Sequence, residues 1–260
     1  MKIAIVTNKK VENTKSVLSK LENELVKNAL DYEIIDIDSL KSGYDFICVI
    51  GGDGTILKTA RYYAEFDTPI LGINLGRLGF LSQSGTSEIE KVVEHIKNKS
   101  YKVQDRIMLK SGDFVALNDF VIKGCSCTRT SKFSLRINDK FVCDYIADGI
   151  IISTPTGSTA YGLSAGGPIL CPDIDCLVVV PICPHTLNAR PLVVPSNEVI
   201  TVKTSDKLLS VAIDGFETEE CVEKITIKAA ERKAKLAFLK QGRFYEVLRD
   251  KLHWGISEAI

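Results

Sequence analysis

Five apolar residues, Phe46-Ile47-Cys48-Val49-Ile50, run directly into Gly51-Gly52-Asp53-Gly54-Thr55 and then into a helical pattern near Ile56–Ala64. A strand without polar alternation is buried on both faces, as in a parallel sheet covered by helices. The neighbouring segments agree. Lys2–Thr7 is a short apolar run, Asn13 or Thr14 is placed to cap a helix with apolar positions at Val17, Leu18, Leu21, Leu25 and Val26, and Tyr32–Ile37 alternates as a strand. Ile70–Ile73 reads as another strand, and Ser87-Glu88-Ile89-Glu90 as a capping box that opens a helix. Strands alternating with helices predict a parallel sheet with helices on both faces.

From about Tyr101 the texture changes to closely spaced β-rich segments: Phe114–Lys123, Phe133–Ile137, Ile150–Ser153, Leu177–Val180, Val199–Lys203, Leu208–Ile213 and Lys224–Lys228. Turn pairs such as Asn138-Asp139 and Asp214-Gly215 separate many of them. The expected architecture is α/β plus all-β. Residues 1–100 form a Rossmann-like parallel-sheet domain and residues 101–240 a β-rich, sandwich-like one, while the helical pattern of Gly242–Leu252 brings residues 241–260 back onto the first.

Lys and Arg number 33, as do Asp and Glu, so no net field draws the chain to nucleic acid or anionic lipid. An anionic ligand must be held by local geometry. The amino terminus turns polar after four apolar residues, which predicts a cytoplasmic protein without a signal peptide. The eight cysteines are scattered without the paired spacing of a zinc site.

The glycine turn at residues 51–55 sits where open α/β sheets place ligands, beyond the carboxyl end of a strand. Gly51, Gly52, Gly54 and Thr55 let the backbone approach a phosphate, while Asp53 would repel one. Asp53 is therefore suited to hold a metal ion or to take a proton from an attacking hydroxyl. A second loop, Gly72–Leu81, brackets Asn74 and Arg77 with glycines, as a backbone shaped around the phosphate side of a ligand would. The strand ending at Ser153 leads into the hydroxyl-rich run Ser153-Thr154-Pro155-Thr156-Gly157-Ser158-Thr159-Ala160-Tyr161, which offers donors and acceptors for sugar hydroxyls and a ring for stacking. No P-loop or standard dinucleotide fingerprint is present.

Gly51–Thr55, Gly72–Leu81, Asn118-Asp119 and Asp148–Pro168 resemble, in order and spacing, the four sequence blocks of the NAD kinase family. Pro184–Leu192 and Phe244–Trp254 are similar to further family segments. The resemblance implies two domains with a site in the cleft between them, a homodimer or homotetramer, and conversion of ATP and NAD to ADP and NADP with Mg²⁺ on the phosphates. The nucleophile would be the 2′-hydroxyl of the adenosine ribose. By the same resemblance Asp53 is the catalytic aspartate, with Gly54 and Lys58 beside it. Asn118 and Asp119 would bind the dinucleotide, and Arg129, Asp148, Thr159, Ala160, Tyr161 and Ser164 would complete the pocket. One departure is visible: the family more often has Glu where Asp119 stands, so the carboxylate here reaches ~1.5 Å less far. The alternatives are a lipid kinase of the diacylglycerol or sphingosine type, or a nucleotide sensor without turnover. The first would want an exposed apolar or basic membrane-facing surface, and the second would be favoured by loss of the carboxylate at Asp53.

Overall fold

The computed structural model describes residues 1–8, 14–76, 79–125, 130–204, 208–239 and 244–253. Within it the chain divides into two compact units, residues 1–105 with 234–260, and residues 106–233. No helix among the described residues is long and apolar enough to cross a membrane.

In the first unit, β1 (Lys2–Thr7) pairs in parallel with β2 (Asp31–Asp36) and β3 (Phe46–Ile50), and β3 pairs in parallel with β4 (Ile70–Ile73). Alternate residues of these strands face opposite sides. Ile3, Ile5, Phe46, Cys48, Ile50, Leu71 and Ile73 share one core cluster with Val17, Leu21 and Leu25 of α1 (Thr14–Lys27) and Val92, Val93 and Ile96 from Ile89–Lys97. Of the apolar positions expected of α1, Val17, Leu21 and Leu25 are buried, Leu18 is half-buried and Val26 is exposed. The helix at Ile89 has Glu88 at its N-cap with no side-chain cap hydrogen bond, so the capping box read from Ser87-Glu88-Ile89-Glu90 does not form.

The helix expected near Ile56–Ala64 begins earlier. It spans Asp53–Tyr63 (α2), so the second half of the glycine turn is its first turn. Gly52, extended at φ −85° and ψ −179°, is the N-cap, and an acidic residue at the positive end of a helix is favourable. The final strand of the sheet, Ala234–Phe238, pairs in parallel with β4 through Leu236 and Ile70. It moves the boundary expected at residue 240 to 233 and returns the chain to the first unit before the helix Phe244–Leu252. Trp254 lies outside the described residues.

The second unit is a sandwich of two antiparallel six-stranded sheets. Phe120, Ile122, Ile150, Ile152, Leu177 and Val179 from one sheet share a core with Phe133, Leu135, Ile200, Val202 and Ile227 from the other. The β-rich segment Phe114–Lys123 holds two strands. Phe114–Ala116 belongs to one sheet and Asp119–Gly124 to the other, and Leu117-Asn118 is the crossing between them.

Candidate active site

The first unit presents Asp53 on the opening turn of α2, held by the backbone of the loop after β4. Its Oδ2 accepts the Phe80 amide at 3.2 Å and its Oδ1 the Leu81 amide at 3.4 Å. Each carboxylate oxygen has a second lone pair, so the grip orients the group and leaves acceptor capacity for a substrate proton. The loop approaches so closely that a Cβ at Gly79 would lie 2.1 Å from Asp53 Oδ1, so any larger residue there would push the carboxylate out of this position. Ser82 secures this arrangement, its Oγ accepting the Gly79 amide at 2.8 Å and Asn74 Nδ2 at 3.2 Å. Asn74, expected on the phosphate side, is buried, and its Oδ1 accepts the Gly76 amide at 3.2 Å. It braces the loop. Lys58 donates to Asp38 at 2.7 Å, so its charge is matched within its own unit. Arg77 lies outside the described residues.

In the second unit Asn118 and Asp119 stand where the chain crosses between sheets. Asp119 is 3% exposed, and burial, then the neighbouring Asp214 carboxylate, push its carboxyl up to about 7. Asp148 is exposed between Lys140–Ala147 and Gly149–Ser153, with its amide donating to Ile182 O at 3.0 Å. Arg129 lies outside the described residues.

The hydroxyl run is used differently from the expectation that its members face a sugar. Ser153, Thr154 and Ser158 are buried, and their hydroxyls serve the chain's own backbone. Thr154 Oγ1 donates to Leu117 O at 2.6 Å and accepts the Gly157 amide at 3.1 Å. Ser158 Oγ donates to Pro155 O at 2.7 Å and accepts the Leu170 amide at 3.0 Å. Ser153 Oγ lies 3.1 Å from Asn118 O. Gly157 packs on that same peptide, where a Cβ would overlap Asn118 O at 2.2 Å. Such a run builds a rigid loop because short side chains satisfy backbone groups that no ladder reaches. What it delivers to the surface is its far end: Thr159 and Ala160, half-buried, and Tyr161 and Ser164, exposed on the short helix Tyr161–Ser164.

Comparison with known proteins gives this geometry a family. A model described as the ATP-NAD kinase N-terminal domain matches residues 7–101, and one described as the ATP-NAD kinase C-terminal domain matches residues 117–239. An NAD kinase of Clostridium botulinum (strain ATCC 19397 / Type A) is 40% identical over 240 residues, which cover 88% of this chain and 85% of that protein. An NAD kinase of Caldanaerobacter subterraneus subsp. tengcongensis is 38% identical over 278 residues, covering 96% and 98%. Among solved structures, an NAD kinase from Archaeoglobus fulgidus in complex with ATP superposes with a TM-score of 0.82 at 27% identity, covering 97% of this chain and 99% of that one. Yeast NADH kinase complexed with NADH gives a TM-score of 0.85 at 24% identity over 99% and 89%, and shows the same fold. The molecule is a phosphotransferase. It belongs to the NAD kinase family.

Proposed function

We propose that this chain transfers the γ-phosphoryl group of ATP to the 2′-hydroxyl of the adenosine ribose of NAD, with Asp53 as the general base. The observation that carries the reading is the Asp53 carboxylate on the first turn of α2, with both oxygens turned to the amides of Phe80 and Leu81. A base so fixed loses no orientational freedom at the moment of reaction. The 2′-oxygen forms a bond to the γ-phosphorus as its proton passes to Asp53, the bond from that phosphorus to the bridging oxygen breaks, and ADP leaves. Complexes of related kinases with ATP and with NADH support the choice of substrates.

Among the described residues no three His, Cys, Asp or Glu side chains cluster as a metal cage. A divalent cation carried on the phosphates of ATP, as Mg²⁺ commonly is, would supply charge neutralisation there. The backbone at Gly51, Gly52 and Thr55 lies toward the phosphates in this reading. Asn118, Asp119, Thr159, Ala160, Tyr161 and Ser164 hold the dinucleotide, and Asp148, Lys58, Arg77 and Arg129 are assigned to the site by family resemblance. A cytoplasmic homo-oligomer goes with the same resemblance.

The test supplies purified protein with ATP, Mg²⁺ and either NAD or diacylglycerol. NADP formation with no lipid product is expected; lipid phosphorylation alone would contradict the reading.

Tyr161 is 41% exposed at the end of the rigid hydroxyl loop, a position suited to lay its ring against a base or nicotinamide. Such stacking is worth ~1–3 kcal/mol, so Tyr161→Ala weakens NAD binding roughly ten- to a hundredfold. The KM for ATP changes less. Calorimetric titration giving the same NAD affinity in both proteins would reduce Tyr161 to a capping residue.

A further inference from the structure

The carboxylate of Asp214, 9% exposed, receives three successive backbone amides from a segment 95 residues earlier in the chain. Oδ2 accepts Leu117 N at 3.0 Å, and Oδ1 accepts Asn118 N at 2.7 Å and Asp119 N at 3.1 Å. The Asp214 amide in turn donates to Asp119 O at 3.0 Å. Leu117 and Asn118 lie at the crossing between the two sheets, outside the strands to either side, so these side-chain bonds do what a ladder does elsewhere.

The turn itself does not require a carboxylate. Asp214 and Gly215, with φ of 48° and 84°, join Leu209–Ile213 to Phe216–Val222 as the two central residues of a hairpin, a place where asparagine followed by glycine serves equally well. Setting Asp214 beside the buried Asp119 also costs energy, because two close carboxylates resist ionising together. An acid kept there against that cost has a task beyond the turn.

We propose that Asp214 is a positioning residue of the dinucleotide site, gripping from the amide side the peptide strip that presents Asn118 and Asp119. Thr154 grips the same strip from the carbonyl side, its hydroxyl bonded to Leu117 O at 2.6 Å and its amide to Asn118 O at 2.9 Å. The loop that ends in Thr159, Ala160 and Tyr161 starts at that contact. Asp214 thereby sets the seat of Asn118 and Asp119 and, through it, the root of the loop leading to Tyr161. The inference rests on the reading that Asn118 and Asp119 bind NAD.

Asp214→Asn preserves the turn and replaces one acceptor by a donor that faces an amide. The folded variant is expected to bind NAD roughly tenfold more weakly with an unchanged KM for ATP. Its Leu117 and Asn118 amides exchange hydrogen faster, and the Asp119 carboxyl, followed by carbon NMR, titrates below its position in the unaltered chain. Asp214→Gly also keeps the turn, loses all three acceptor bonds, and is expected to weaken NAD binding further; should it fail to fold, Asp214→Asn still decides. A folded Asp214→Asn protein with unaltered NAD affinity and unaltered amide exchange would overturn the positioning role. Absence of NAD binding by the unaltered chain would overturn the underlying reading instead, and this role with it.

Discussion

Asp53→Asn is expected to lower kcat by ~10²–10⁴-fold while the protein still binds NAD, because a carboxamide cannot take the proton of the attacking hydroxyl. The geometry adds a second, smaller consequence. Asparagine has one acceptor oxygen for the two amides of Phe80 and Leu81 that Asp53 now satisfies, so its NH₂ group faces one of them. That mismatch costs on the order of 1–3 kcal/mol of stability and appears as a lowered melting temperature. The two effects are separable by measuring turnover well below the variant's melting temperature. Near-normal kcat in a folded Asp53→Asn protein would remove the general-base role, whatever happened to stability.

Asp119→Asn is expected to weaken NAD binding roughly ten- to a hundredfold, from loss of a charge-assisted hydrogen bond worth about 1.5–3 kcal/mol. Its effect on stability has the opposite sign. Burial, then Asp214, hold the Asp119 carboxyl at about 7, above the ordinary 3.8 of an unfolded aspartate. Folding therefore favours the protonated form, and the associated stability is fully present below about pH 4 and is lost as pH rises through 7. Asparagine does not ionise and escapes that loss. The variant's melting temperature should gain on that of the unaltered chain between about pH 4 and pH 7, with no further gain above. Lower affinity together with a higher melting temperature at pH 8 marks a residue kept for binding at the expense of stability. Unchanged affinity with a lowered melting temperature would make Asp119 a turn residue. Asp119→Glu, with the side chain more usual in the family, should retain NAD binding if the carboxylate is what the ligand meets.

The strand cores were legible because burial on both faces leaves an unbroken apolar run, as in Phe46–Ile50 and in Ile150-Ile151-Ile152 of the segment Ile150–Ser153. The start of α2 was not. Asp and Gly favour turns when read locally, yet Asp53 gains from the positive end of the helix, and Gly54 is tolerated in its first turn. Ala234–Phe238 escaped notice because its partner, Ile70, is far away in sequence and nothing local in Ala-Lys-Leu-Ala-Phe demands a parallel neighbour.

The same limit governs the site. Asp53 announced itself as a carboxylate among glycines, but the reason for Gly79 is visible only once the loop is seen to close on Asp53. Six hydroxyl residues among the nine of 153–161 suggested a ligand's sugar. Sequence cannot tell a hydroxyl facing a ligand from one facing the carbonyls of Leu117 or Pro155, and Ser153, Thr154 and Ser158 do the latter. Asp214 carried no signal beyond Asp-Gly as a turn pair, since its amide partners lie 95 or more residues away.

The most direct measurement of the central claim is the position of the new phosphate. Purified protein is incubated with ATP, Mg²⁺ and NAD, and the product is examined by phosphorus NMR and by an assay with a dehydrogenase that accepts only the 2′-phosphorylated cofactor. The account predicts one phosphate per dinucleotide, all of it on the 2′-oxygen of the adenosine ribose, formed together with ADP and nearly abolished in Asp53→Asn. ATP consumed without a phosphorylated dinucleotide, or a phosphate on any other oxygen, would contradict it.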